Sequence, residues 1–190
     1  LLQTEDYTLA SDLFNEEYSY FSSVSQSWLK HAEQYYLDAI ERHGITKQSM
    51  VVEVASNDGY LLKNFLSAGI PCLGVEPTKS TASEARKFGI PVVEEFFSES
   101  LGSEIAVQYG KADLIIGNNV YAHVPDINDF TRGLRALLKQ DGTISLEFPH
   151  ALELIMQAQF DTIYRPAASS AWHSLTLASL FRYFLPIIFR

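Results

Sequence analysis

From residue 50 onward, short apolar β-branched runs alternate with stretches of helical period, and no other feature constrains the fold as strongly. Residues 50–55, 71–75, 91–93, 113–117 and 143–148 read as strands. Residues 60–68, 98–109, 126–139 and 151–159 read as helices, and a further one lies between Pro77 and Gly89. Proline suits a first helical turn and glycine a helix end. Strands alternating with helices imply βαβ units and a mainly parallel sheet covered on both faces. Right-handed crossovers then leave a doubly wound α/β sheet, Rossmann-like, expected to be truncated after strand five. Such sheets bind ligands where strand order reverses, here at the carboxyl ends of strands one and four.

The chain has 190 residues, enough for one ordinary domain. Its formal charge of −9 disfavours nucleic acid and anionic membrane as main partners, because both demand clustered Lys and Arg. The lone Cys72 rules out an internal disulfide and a Cys-based zinc cluster within the sequence. No apolar run approaches the ~20 residues that span a bilayer. No leader pattern is visible at Leu1-Leu2-Gln3, so the expected compartment is the cytoplasm. Residues 1–21 are polar and aromatic, and Ser22 or Ser23 is expected to cap a helix running to about Arg42, stopped at His43-Gly44. The expected organisation is an N-terminal helical extension (1–45), an α/β domain (46–160) and a divergent tail (161–190).

The loop after strand one carries Glu53-Val54-Ala55-Ser56-Asn57-Asp58-Gly59-Tyr60. A strand, tight turn and helix direct backbone N–H groups at a ligand, which serves dinucleotides and S-adenosylmethionine alike. A dinucleotide fingerprint needs a third glycine for close helix packing, and Tyr60 is far too large for that slot. An acid at Glu53 followed by Ala55, Asn57 and Gly59 at alternate positions fits a methyltransferase loop better. Ala55 is small, and Asn57 tolerates positive φ. A plain strand–helix turn without ligand remains the alternative. Glu76 ends strand two, 23 residues beyond Glu53. A carboxylate there can accept protons from both hydroxyls of a ribose, or can simply be a solvated acid near a helix N-terminus.

Phe96 and Phe97 follow strand three and either border an adenine ring or join the core. Asn118 and Asn119 leave strand four and need hydrogen-bond partners in a cofactor or substrate. His123 stands as base, substrate contact or helix-start residue. The five histidines show no metal-ligand spacing, so no metal is expected.

Together these segments resemble class I S-adenosylmethionine-dependent methyltransferases, and within them the C-methyltransferases of nucleotide-linked deoxysugars. The likeness runs through Phe14-Asn15-Glu16, residues 20–25 with Trp28, residues 53–62, Gly74-Val75-Glu76-Pro77, Gly117-Asn118-Asn119-Val120, residues 122–130, Glu147-Phe148-Pro149 and residues 160–164. It implies S-adenosylmethionine as cofactor. The candidate cofactor-binding residues are Glu53, Ala55, Ser56, Asn57, Gly59, Tyr60, Leu61, Glu76, Pro77, Phe96, Phe97, Asn118, Asn119 and Val120. Candidate catalytic residues are Tyr18, Tyr20, His123 and Tyr164. The implied chemistry is removal of a proton beside a ketone, followed by attack of the enolate carbon on the cofactor's methyl group. The resemblance also implies a cysteine-rich zinc module before this segment and a second α/β domain after it, so the sequence looks like a central domain alone.

The sequence departs from the family after Tyr164. Arg165-Pro166-Ala167 stands where the family has His-Glu-His, and proline alters the local backbone. Three expectations follow: a C-methyltransferase taking a nucleotide-linked keto-deoxysugar, a catalytically impaired cofactor-binding domain, or a nicotinamide oxidoreductase, against which Tyr60 argues. An exposed sheet edge would be compatible with a homodimer.

Overall fold

The computed structural model of the chain describes residues 21–147. In chain order the elements are α1 (Gln26–His43), β1 (Val51–Val54), α2 (Leu62–Ser67), β2 (Cys72–Val75), α3 (Lys79–Lys87), β3 (Val92–Val93), α4 (Glu99–Gln108), β4 (Ala112–Asn118), α5 (Ile127–Leu137) and β5 (Leu138–Glu147). The strands form one sheet in the order β3-β2-β1-β4-β5, parallel throughout. Strand order reverses between β1 and β4, as the doubly wound reading requires.

The sheet is covered on both faces, and residues alternate between the two cores along each strand. Val51, Cys72, Leu114 and Ile116 pack against α1, α2 and α3 through Ala32, Ala39, Leu62, Phe65 and Ala85. Val52, Val54, Leu73, Val75 and Ile115 pack against α4 and α5 through Leu101, Ile105, Phe130, Leu134 and Leu137. Phe65 and Leu62 are fully buried, and each such side chain contributes roughly 1.5–3 kcal/mol by leaving water.

Four element ends differ from the sequence expectation. The cap of α1 is Ser25, whose hydroxyl accepts from the Trp28 N–H, while Ser22 and Ser23 both lie in a separate 3-10 turn at Ser22–Val24. Pro77 precedes the α3 cap, Thr78, so it sits outside the first turn. Asp126 caps α5 by accepting from the N–H groups of Asn128 and Asp129, and that helix ends at Leu137 rather than Lys139. Leu138 turns extended and pairs with Ala112, so β5 starts five residues early. The Lys139 ammonium then reaches Asp113 Oδ2 at 2.7 Å, an ion pair that favours strand over a further helical turn. The helix expected at 151–159 lies outside the described residues, as do Tyr18, Tyr20, Tyr164 and the Arg165-Pro166-Ala167 departure.

Candidate active site at the carboxyl ends of β1, β2 and β4

The turn after β1 is built on three left-handed residues. Ala55 has φ 59°, Asn57 φ 50° and Gly59 φ 77°. These are the alternate positions singled out in the sequence, and their common conformation explains why that pattern favours glycine. Asn adopts it readily, whereas Ala55 sits there at some cost. At Gly59 a Cβ would meet Ile90 Cδ1 at 2.5 Å and Ala85 Cβ at 3.1 Å, so this glycine also lets α3 approach the turn. Ser56 is buried with its hydroxyl against Gly74, where a Cβ would lie 2.5 Å from Ser56 Oγ.

Glu53 lies in register with Gly74 on β2 and Ile116 on β4, on the face covered by α1. It is fully buried, and neither carboxylate oxygen has a hydrogen-bond partner. Burial first, then the neighbouring Asp58 and Glu76 carboxylates, push its pKa well above the ordinary glutamate value. Asp58 is also buried, with Oδ1 unpartnered. A pocket holding three carboxyl groups and orphaned acceptors calls for a cationic or multiply donating ligand.

Glu76 closes the turn from the neighbouring strand. Its Oε2 accepts the Asn57 N–H at 2.9 Å, and its Oε1 accepts the Thr78 N–H at 3.0 Å. Each oxygen keeps a second lone pair for a further donor. The segment before α1 is tied to the same turn: the Ser22 N–H donates to Asn57 Oδ1 at 2.9 Å, and the Ser23 N–H to Asp58 Oδ2 at 3.0 Å.

Helix α1 supplies the wall over Glu53. The ring of Trp28 lies 5.0 Å from His31 and 6.1 Å from Tyr60, centroid to centroid. Asn118 Nδ2 reaches the Tyr60 hydroxyl at 3.5 Å. Burial raises the Tyr60 hydroxyl's pKa well above the usual tyrosine range, with Glu53 adding to the shift. The Tyr35 hydroxyl donates to Ser145 Oγ at 2.5 Å on β5, and burial raises its pKa too. His31 Nε2 lies 3.1 Å from Glu147 Oε2 at the end of β5. That bond, together with the Glu147 charge and against the opposing effect of burial, raises the His31 pKa above 6.5.

The other candidate residues have these surroundings. The Leu61 side chain is fully buried in the core beneath α1 and α2. Phe97 stacks edge-on against Phe130 at 5.1 Å in the other core, whereas Phe96 is exposed. Val120 packs on that second core. Pro77 is half-buried beside Glu76. Asn119, at φ 54°, donates its N–H to the Glu147 carbonyl at 2.6 Å and its side-chain amide to Glu147 Oε1 at 3.4 Å. His123 is exposed on the 3-10 turn Tyr121–His123. Among the described residues no group of three or more His, Cys, Asp or Glu is placed to hold a metal ion. No helix among them is long and apolar enough to cross a membrane. Sequence reasoning missed Asp58, His31 and Glu147. Trp28, His31 and Tyr35 fall at i, i+3 and i+7 on α1, a spacing that marks one helix face.

Comparison with known proteins agrees with this geometry. The family model for the methyltransferase domain matches residues 28–184. The C-methyltransferase NovU of Streptomyces niveus is 35% identical over 163 residues, covering 86% of this chain. The chain spans 39% of that relative's length. The magnesium protoporphyrin IX methyltransferase ChlM from Synechocystis PCC 6803, solved with bound SAH, superposes with a TM-score of 0.58 at 13% identity, over 80% of this chain and 68% of that one. The glycopeptide N-methyltransferase MtfA complexed with S-adenosyl-L-methionine superposes at 0.50 with 16% identity, over 63% of this chain and 55% of that one. By the matched domain, the parallel sheet and the turn after its first strand, the chain belongs to the class I S-adenosylmethionine-dependent methyltransferases.

Proposed function

We propose that the crevice at the ends of β1, β2 and β4 binds S-adenosylmethionine for C-methylation of a nucleotide-linked keto-deoxysugar. Glu53 carries this reading: a fully buried carboxyl group with two unpartnered oxygens, behind a left-handed turn, suits a ligand that brings its own ammonium and sulfonium charges. The residues present fit such a group. Glu53 faces its amino end, directly or through water, and the Ala55–Gly59 turn brings backbone close to it. Glu76, already fixed by two N–H groups, has acceptor capacity left for the ribose hydroxyls. Tyr60 and Asn118 close the side toward β4. When bound, the cofactor supplies an electrophilic methyl group. The chain's own contribution is to orient it, to exclude water with the α1 wall, and to remove a proton from the acceptor.

The sugar acceptor is supported by the likeness to NovU and by the segments shared with the sugar C-methyltransferases. Tyr18, Tyr20, His123 and Tyr164 remain the proposed substrate-side residues. The Arg165-Pro166-Ala167 departure favours a second reading, in which cofactor binding survives and turnover is impaired. Calorimetric titration with S-adenosylhomocysteine tests the first half: saturable binding is expected, and none at millimolar ligand would overturn it. Methyl transfer from labelled S-adenosylmethionine to a thymidine-diphosphate-linked keto-deoxyhexose separates the two readings.

A further inference from the structure

We infer that Glu53 is a neutral acid in the ligand-free protein and gives its proton to solvent when a ligand's ammonium group is seated in the crevice. The inference rests on the cofactor reading and deepens it, since it makes Glu53 the residue that selects a cationic amino end. Three carboxyl groups crowd the turn after β1, and their surroundings differ. Glu76 accepts two N–H groups, from Asn57 at 2.9 Å and from Thr78 at 3.0 Å. Asp58 accepts the Ser23 N–H at 3.0 Å. Glu53 is fully buried, and neither of its oxygens takes part in a hydrogen bond. Donated N–H groups stabilise a carboxylate, whereas burial and like charge disfavour it. A proton held among the three acids therefore rests on Glu53.

The elements packed around Glu53 leave its charge uncompensated. The charges acting on it are those of Asp58 and Glu76, both negative. On β2 its register partner is Gly74, and the Cys72 thiol is near enough for the Glu53 charge to oppose its ionisation. On β4 its register partner is Ile116. The turn contributes the Tyr60 hydroxyl and α1 the Tyr35 hydroxyl, and Glu53 opposes the ionisation of both. Tyr35 donates its proton to Ser145 Oγ. His31 on α1 pairs with Glu147 of β5 at 3.1 Å, so Glu147 meets its charge. An ammonium group brought into the crevice supplies the missing positive charge and three donors. It has no lone pair, so the Glu53 proton passes to water and a carboxylate is left facing the ammonium. A ligand without that group leaves the proton in place. Between the Glu53 midpoint of the complex and that of the free protein, the free protein holds a proton that the complex has lost. Affinity therefore rises with pH through that window and levels off above it.

The test is a calorimetric titration of the full wild-type chain with S-adenosylhomocysteine, at a series of pH values where the ligand's amino group is cationic. Each pH is run in two buffers of different ionisation enthalpy, which counts the protons released. Affinity should rise with pH, approaching ~tenfold per pH unit where one proton is released. 5′-Methylthioadenosine, which keeps the nucleoside and lacks the amino-acid end, should bind with flat affinity and release none. Carbon NMR of the Glu53 carboxyl should show its midpoint falling when S-adenosylhomocysteine is added. Asp58→Asn removes one neighbouring negative charge, so the release should persist and its window should move to lower pH. Loss of the release in that variant would assign the proton to Asp58 and overturn the inference. Binding of S-adenosylhomocysteine with flat affinity and no proton released would overturn it while leaving the cofactor reading intact. Equal release with 5′-methylthioadenosine would show that burial of the nucleoside expels the proton, and would overturn the selection of an ammonium group. Without any binding of S-adenosylhomocysteine the cofactor reading fails, and the ligand-free NMR titration still decides whether Glu53 is a neutral acid.

Discussion

The Asn57 backbone N–H donates to Glu76 Oε2 at 2.9 Å, so the acid that follows β2 fixes the turn that leaves β1. Thr78 holds the other oxygen at 3.0 Å, and Glu76 is only 4% exposed. Glu76→Gln keeps the volume but turns one acceptor into an NH2 that faces a backbone N–H. An unsatisfied buried donor costs about 1–3 kcal/mol, and urea unfolding of the ligand-free protein should show a loss of that size. Titration should show S-adenosylhomocysteine binding weakened at least tenfold. Unchanged binding with reduced stability would mean that Glu76 serves the turn alone.

Glu53 makes the stability of the ligand-free protein depend on pH. Its pKa is raised above 4.5 in the folded chain, mainly by burial. Between 4.5 and that raised value the folded state keeps a proton that the unfolded state has lost. Stability from this group is therefore complete below 4.5 and falls as pH rises through the window. Glu53→Gln never ionises and escapes the loss. Its melting temperature, without ligand, should match wild type near pH 4 and exceed it at pH 7–8, by roughly 2–4 °C for each kcal/mol. The same substitution should abolish the response to S-adenosylhomocysteine. A variant less stable than wild type at pH 8 would show that the carboxylate is already compensated.

The sheet was legible because its signal is periodic: runs such as Val51–Val54 and the segment around Ile115 can be nothing but buried strand, and Gly44 and Gly89 mark helix ends by conformation. The turn was legible because left-handed backbone selects Asn57 and Gly59 in sequence. What stayed hidden depends on distance in sequence. His31 meets Glu147 across 116 residues, and Tyr35 meets Ser145 across 110. No local pattern encodes either pair. Adjacency to a ligand loop does not say which way a side chain points: Leu61 turns into a core, and Phe97, open in sequence between ring contact and core, packs on Phe130. The early start of β5 was missed because Leu137 and Leu138 continue the helical spacing of α5, and only pairing with Ala112 breaks it.

The contact between α4 and α5 has no room for a side chain. A Cβ on Gly102 would lie 2.5 Å from the Gly133 carbonyl oxygen and 2.9 Å from its carbon. Both are backbone atoms, so relief requires the helices to separate. Gly102→Ala would gain about 1 kcal/mol in helix propensity if it were exposed. Here the overlap should reverse the sign, with a net loss of about 1–3 kcal/mol in urea unfolding. Ligand affinity should change little, since this contact lies on the face opposite Glu53. A stabilised variant would show that the two helices are looser than this packing implies.

Asp58 links the chain before α1 to the cofactor turn. Its Oδ2 accepts the Ser23 N–H at 3.0 Å, and the neighbouring Asn57 Oδ1 accepts the Ser22 N–H at 2.9 Å. Asp58→Ala removes the first bond and leaves the second. The Ser23 amide should then exchange with solvent about tenfold faster, the equivalent of ~1.4 kcal/mol of local opening, while amides in β1 keep their protection. Ligand in the turn should slow exchange at both serines in the wild type, because a fixed turn presents fixed acceptors. In Asp58→Ala that slowing should persist at Ser22 and disappear at Ser23. Equal protection of Ser23 in both proteins would show that contacts other than the carboxylate hold this segment against the turn.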